Sequence, residues 1–176
     1  MLSALLFAYE QLSEPVVTFP IPSPEPTFTA TSSADFTLYE VDKVVDGDTI
    51  RIFIDGKSTP VRIVGIDTPE TVDPRRPVEC MGKEASDRMK ELISGKKVRL
   101  EVDASQSDRD KYDRLLRFVF LEDGTDVGLK MIEEGFAQSN NYGSTTHKYF
   151  EAYEQAEMLA ESAGLGLWNR ELCPEG

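Results

Sequence analysis

Asp55-Gly56 stands between two strand-like runs, and few architectures accept that arrangement. Residues 49–54 read Thr-Ile-Arg-Ile-Phe-Ile, and residues 59–66 read Thr-Pro-Val-Arg-Ile-Val-Gly-Ile. Both are rich in the β-branched residues that strands favour. Asp-Gly supplies the positive φ that a tight hairpin connection needs. Two adjacent antiparallel strands are therefore expected, with Gly65 marking a bulge or a close backbone approach.

The remaining elements follow from periodicity. Residues 38–45, 98–102 and 115–121 read as further strands, the last ending in a Glu122-Asp123-Gly124 turn. Ala85, Met89, Leu92 and Ile93 recur at helical spacing over 83–93, with Gly95 as the stop. A short helix is expected over 126–134, ended by Gly135. A longer amphipathic helix is expected over 148–162, with Trp168 packing in the core beyond it. Residues 72–78 and 139–146 read as loops. Strands and helices do not alternate throughout, which excludes a doubly wound sheet and makes the fold class α+β. The expected architecture is a five-stranded OB-fold β-barrel with three α-helices against it.

Residues 1–36 differ from the rest. Positions 1–40 hold no Lys or Arg, and positions 15–33 are rich in Pro, Ser and Thr. Such a composition buries too little apolar surface to offset chain entropy, so residues 1–36 are expected to be a disordered segment and residues 37–176 the folded domain. The short apolar run at 2–8 reads either as a frayed terminus or as the tail of an export signal. No run of 18 apolar residues exists to span a membrane.

The net charge of −13 argues against a strongly basic nucleic-acid binder. Its distribution is uneven, however. Residues 41–117 carry 16 bases and 16 acids, whereas residues 118–176 carry 3 bases and 11 acids. Cys80 and Cys173 fit no metal-ligand spacing. They are either two free thiols or, as the preferred reading, a disulfide that ties the C-terminal part to the loop before the first helix. A bridge would imply an oxidising compartment, extracellular or at the cell surface.

Asp46-Gly47-Asp48-Thr49 and Asp67-Thr68-Pro69-Glu70 place carboxylates at turns that follow strand-like runs. Arg62 lies between them, and Arg114 follows Lys111-Tyr112-Asp113. Asp48 and Asp67 offer hard oxygens suited to calcium, Glu70 offers a carboxylate to a water, and the arginines offer planar forks to phosphate. Without a His or Cys cluster, zinc is a poor match. Each motif alone also reads as a surface turn or a structural ion pair.

Taken together, residues 45–50, 61–70 and 110–114, followed by Gly82-Lys83-Glu84-Ala85-Ser86, resemble the staphylococcal nuclease (thermonuclease) family. The resemblance covers about residues 39–168. It implies calcium-dependent hydrolysis of DNA and RNA with low sequence specificity, by water attack that leaves 3′-phosphates. It implies a monomer with no stable protein partner. By resemblance, Asp48, Asp67 and the Thr68 carbonyl hold the metal. Arg62 and Arg114 bind the phosphate, and Glu70 is the general base. Lys111 and Tyr112 lie near a nucleotide's terminal phosphate, and Tyr142 is the aromatic that could stack on a base. Asp113 stands where the family usually has Gly. The alternative reading is a non-catalytic nucleic-acid or protein-binding module on the same fold.

Overall fold

The computed structural model describes residues 37–71, 79–141 and 145–174. The expectations for residues 1–36, for the 72–78 loop and for Tyr142 lie outside the described residues. In chain order the elements are β1 (Leu38–Val44), β2 (Thr49–Ile54), β3 (Lys57–Ile63), β4 (Ile66–Asp67), α1 (Gly82–Ile93), β5 (Lys97–Glu101), β6 (Leu115–Leu121), α2 (Val127–Glu133), β7 (Gln138–Ser139) and α3 (Phe150–Ser162).

Five strands close into a barrel in the order β1-β2-β3-β6-β5, with three α-helices beside it, as the α+β reading expects. β2 and β3 form the Asp55-Gly56 hairpin, and both turn residues have positive φ. β1 serves two neighbours. Its Leu38–Glu40 part pairs with β5, and its later residues pair with β2 across a register shift between Val41 and Lys43. A bulge of this kind bends the strand, which lets it pass from one side of the barrel to the other. β3 and β6 run parallel, with Arg62 opposite Leu116. That pairing needs a long crossover, and α1 and β5 lie within it.

The core gathers Ile50, Ile52, Val61 and Ile63 from the hairpin with Phe118 and Val119 from β6. Met89 and Ile93 of α1, Met131 and Ile132 of α2, and Tyr153 of α3 close over it. Each fully buried side chain of this size contributes about 1.5–3 kcal/mol. Asp126 caps α2 by accepting from the Leu129 N–H at 3.1 Å, and the Tyr153 hydroxyl donates to it at 3.0 Å.

Three expectations need correction. The run 59–66 is not one strand, because the chain turns at Gly65 (φ 84°) and restarts as β4. A Cβ on Gly65 would lie 2.7 Å from the His147 ring and 2.8 Å from Tyr153, so both conformation and space demand glycine. β4 then pairs with β7, part of which had been assigned to loop. A two-residue strand carries no periodic signal. Trp168, expected in the core, is half-buried in a 3₁₀ turn (Gly166–Trp168) and stands outside the core cluster.

Cys80 and Cys173 are joined by a disulfide, with their Cα atoms 5.7 Å apart. Closing a loop of 93 residues removes much freedom from the unfolded chain, worth about 4.6 kcal/mol on chain-entropy grounds.

The single histidine, His147, is 3% exposed and packs against Phe118, Phe150 and Tyr153. Neither ring nitrogen has a hydrogen-bond partner among the described residues. Burial lowers its pKa below the ordinary 6.5, although the Asp103 and Glu154 carboxylates pull the other way. The unfolded chain therefore takes up this proton first as pH falls, and the stability attached to neutral His147 is lost below pH 6.5. An NMR titration of the His147 ring should give a midpoint below 6.5, and a midpoint at or above that value would contradict the burial argument.

Candidate active site

Three turns of the barrel build the site. The first joins β1 to β2, where Asp46 Oδ1 accepts the backbone N–H of Asp48 at 3.1 Å and of Thr49 at 2.7 Å. This self-bonded turn fixes the direction of Asp48. A Cβ on Gly47 would lie 2.8 Å from the Thr68 side chain, so glycine lets this turn sit against the second. The second runs from β4 through Asp67-Thr68-Pro69-Glu70. Thr68 donates to Asp48 Oδ2 from its backbone N–H at 3.2 Å and from its hydroxyl at 3.1 Å.

Arg62 ties the two turns together. It is 6% exposed, and its Nη2 lies 3.0 Å from Asp48 Oδ2 and 2.9 Å from Asp67 Oδ1. Its Nη1 donates to the carbonyls of Ile63 at 3.0 Å and Ile66 at 2.9 Å, on either side of the Gly65 turn. One guanidinium thus satisfies two carbonyls and two carboxylates, which is what makes a buried charge tolerable.

The third turn precedes β6. Asp110 accepts from the Arg114 N–H at 3.0 Å, from Arg114 Nε at 2.7 Å and from the Tyr112 N–H at 2.9 Å. Burial alone would raise the Asp110 pKa, but these donors outweigh it and hold the carboxyl below its ordinary range. Arg114 Nη1 donates to the Thr49 hydroxyl at 3.0 Å, and that hydroxyl donates to Asp48 Oδ1 at 2.9 Å. Asp113 adopts a left-handed φ of 63°, a conformation that glycine meets without cost.

Asp48, Arg62, Asp67, Thr68, Glu70 and Arg114 all line one cavity of about 310 Å³, together with Asp46, Pro69 and Tyr112. A neighbouring, more apolar cavity of about 450 Å³ shares Arg62, Tyr112 and Arg114 and adds Lys111. Tyr112 is 68% exposed, with Lys111 Nζ 5.0 Å and Arg114 Cζ 5.4 Å from its ring centre. The structure thus brings every sequence-derived site residue to these two adjoining cavities, apart from Tyr142, which lies outside the described residues.

The first cavity sets four carboxylates against two guanidiniums. Burial and the nearby Asp48 carboxylate push Asp46 up to about 7. Crowded carboxylates of this kind favour a proton or a cation. Among the described residues no group of three or more His, Cys, Asp or Glu side chains is drawn together tightly enough to form a metal site by itself. The donors present are nonetheless all hard oxygens, which suit calcium and exclude soft-metal chemistry.

Sequence reasoning missed three residues here. Thr49 reads as a motif residue at the start of a strand with no role of its own, yet its hydroxyl links Asp48 to Arg114. Asp46 was read as a turn residue, yet it lines the cavity. Asp110 lies within the 110–114 motif without a role of its own in the sequence, yet it orders the Arg114 turn. The Asp110–Arg114 spacing is a local signal that favours such a turn; the Thr49 contact spans 65 positions and has none.

Comparison with known proteins finds relatives along most of the chain. The family model described as "Staphylococcal nuclease homologue" matches residues 60–170. The thermonuclease of Staphylococcus hyicus is 42% identical over 139 residues, spanning 78% of this chain and 79% of the relative. The thermonuclease of Staphylococcus intermedius is 42% identical over 132 residues, spanning 75% and 76%. Endonuclease YncB of Bacillus subtilis (strain 168) is 38% identical over 130 residues, spanning 74% of this chain and 61% of its own. The chain belongs to the staphylococcal nuclease family.

Two stability predictions follow from the geometry. Arg62→Ala leaves Asp48 buried without its cation and should lower unfolding free energy by about 3 kcal/mol in chelator. Asp113→Gly relieves the left-handed residue and should raise it by about 1 kcal/mol. Urea denaturation checks both, and an unchanged midpoint for Arg62→Ala would refute the ion-pair argument.

Proposed function

We propose that this chain is a calcium-dependent nuclease that hydrolyses phosphodiester bonds of DNA and RNA with low sequence specificity. The observation that carries the reading is the single cavity where Asp48, Asp67 and Glu70 face Arg62 and Arg114. The names of the relatives, thermonuclease and endonuclease, support it. In this reading residues 37–176 form the nuclease domain, which acts as a monomer.

Asp48, Asp67 and the Thr68 carbonyl would hold the metal, which supplies positive charge to the reacting phosphate. Arg62 and Arg114 bind non-bridging oxygens, and they neutralise charge that grows as phosphorus becomes five-coordinate. For Arg62 this means exchanging one of its carboxylate contacts for phosphate. Glu70 takes a proton from the attacking water. The oxygen of that water bonds to phosphorus, the bond to the 5′-oxygen breaks with its electron pair going to that oxygen, which takes a proton from solvent to become a 5′-hydroxyl, and the 3′-phosphate remains. Thr49 and Asp110 hold Arg114 in orientation through their hydrogen bonds. Lys111 and Tyr112 border the adjoining cavity, where in this reading they would lie near a nucleotide's terminal phosphate.

The disulfide supports an extracellular or surface-tethered location, because such bonds persist in oxidising compartments. No helix among the described residues is long and apolar enough to cross a membrane.

Plasmid and RNA digestion across a metal panel tests the reading. Cleavage should require Ca²⁺ and stop on chelation, and the products should carry 3′-phosphates. Glu70→Ala should lower kcat by about 10²–10⁴-fold. Oligonucleotide binding without cleavage in any divalent metal would establish the non-catalytic alternative instead.

A further inference from the structure

Glu70 is held by one residue on both sides of its peptide. Its N–H donates to Glu79 Oε2 at 3.1 Å, and its carbonyl accepts the Glu79 N–H at 3.1 Å. The residues after Glu79 continue the support. The Gly82 N–H donates to the Glu79 carbonyl at 3.0 Å. A Cβ on Gly82 would lie 2.8 Å from Thr71 Cγ2 and 3.1 Å from the Glu70 carbonyl, so the start of α1 backs directly onto the turn.

Between Glu79 and Gly82 lies Cys80, bonded to Cys173. Cys173 is itself fixed by its N–H donating to the Asn169 carbonyl at 2.8 Å. Beneath the turn is a cavity of about 260 Å³, bordered by Thr68, Pro69, Glu79, Cys80 and Leu167. Among the described residues the turn is not close-packed on that side, so the tethers help to set its position.

We propose that Glu79 is a positioning residue for Glu70, and that the Cys80–Cys173 bridge keeps Glu79 in place. Turnover is then set partly by the redox state of a bond outside the catalytic cavity. The proposal rests on Glu70 being the proton acceptor. Opening the bridge with a small dithiol transfers two electrons and two protons. The Sγ–Sγ bond breaks to give two thiols, and the reductant leaves as its own cyclic disulfide. Glu79 is exposed, so its hydrogen bond contributes little to global stability and its loss is read locally.

The test measures kcat and KM on DNA with the full chain, below the melting temperature of every variant. Glu79→Ala should lower kcat on the order of 10- to 100-fold with KM little changed, because a small misplacement costs that much. Glu79→Gln keeps an acceptor oxygen and should recover most of the rate. Cys80→Ser/Cys173→Ser should lower kcat in the same direction. Its combination with Glu79→Ala should cost less than the product of the two, since both act through one turn. In a Glu70→Ala background, Glu79→Ala should add nothing. Amide exchange at Glu70 should quicken in Glu79→Ala and after reduction. A full rate in Glu79→Ala, a fully multiplicative combination or unchanged Glu70 exchange would each overturn the proposal. A full rate in Glu70→Ala would instead overturn the proton-acceptor reading, and with it the effect on turnover, while the exchange measurement still decides whether the brace exists.

Discussion

A buried guanidinium holds this structure's two acid-bearing turns together. Arg62 reaches the carbonyls of Ile63 and Ile66 with one nitrogen and the carboxylates of Asp48 and Asp67 with the other. A charge this deep is unfavourable unless every partner is present. The fold therefore brings β4 and the β1–β2 turn to one place, or it leaves a charge stranded. The Gly65 turn is part of the same arrangement, because its flanking carbonyls are two of the acceptors. The same arginine belongs to the structural core and to the cavity wall.

The parallel β3–β6 pair brings in the rest of the site. It sets the start of β6 beside the end of β3, so Arg114 arrives next to Arg62 although 52 positions separate them in the numbering. Thr49 then joins Arg114 to Asp48 through a single hydroxyl. The resulting network is continuous from Asp110 to Asp67, with few side chains left to wander. Such pre-ordering matters for phosphate chemistry, where most of the catalytic effect comes from charges already in position.

Much of this was legible in the chain itself, for identifiable reasons. The Asp55-Gly56 hairpin and β6 lie where composition and turn chemistry put them, since both signals are local. Asp48, Arg62, Asp67 and Glu70 are legible as a set, because each alone also reads as a surface turn or a structural ion pair. Gly65 is legible as a bulge or close approach, but not the full break of the 59–66 run, because the ring that Gly65 must avoid belongs to His147, far along the sequence. β7 escaped because two residues cannot alternate. The supporting roles of Glu79, Thr49 and Asp110 are not legible in the sequence, since their partners are set by the three-dimensional fold or by one specific turn. Local grammar reveals elements and motifs; it is silent on which hydroxyl or carboxylate supports them.

The bridge between Cys80 and Cys173 also bears on how the protein matures. Cys173 lies beyond every helix and barrel strand, so its partner must wait until all of them have left the ribosome. Within a reducing cytoplasm both sulfurs remain thiols. Covalent closure thus comes after synthesis has passed residue 173, later than the barrel and helices it staples, and it requires oxidising conditions.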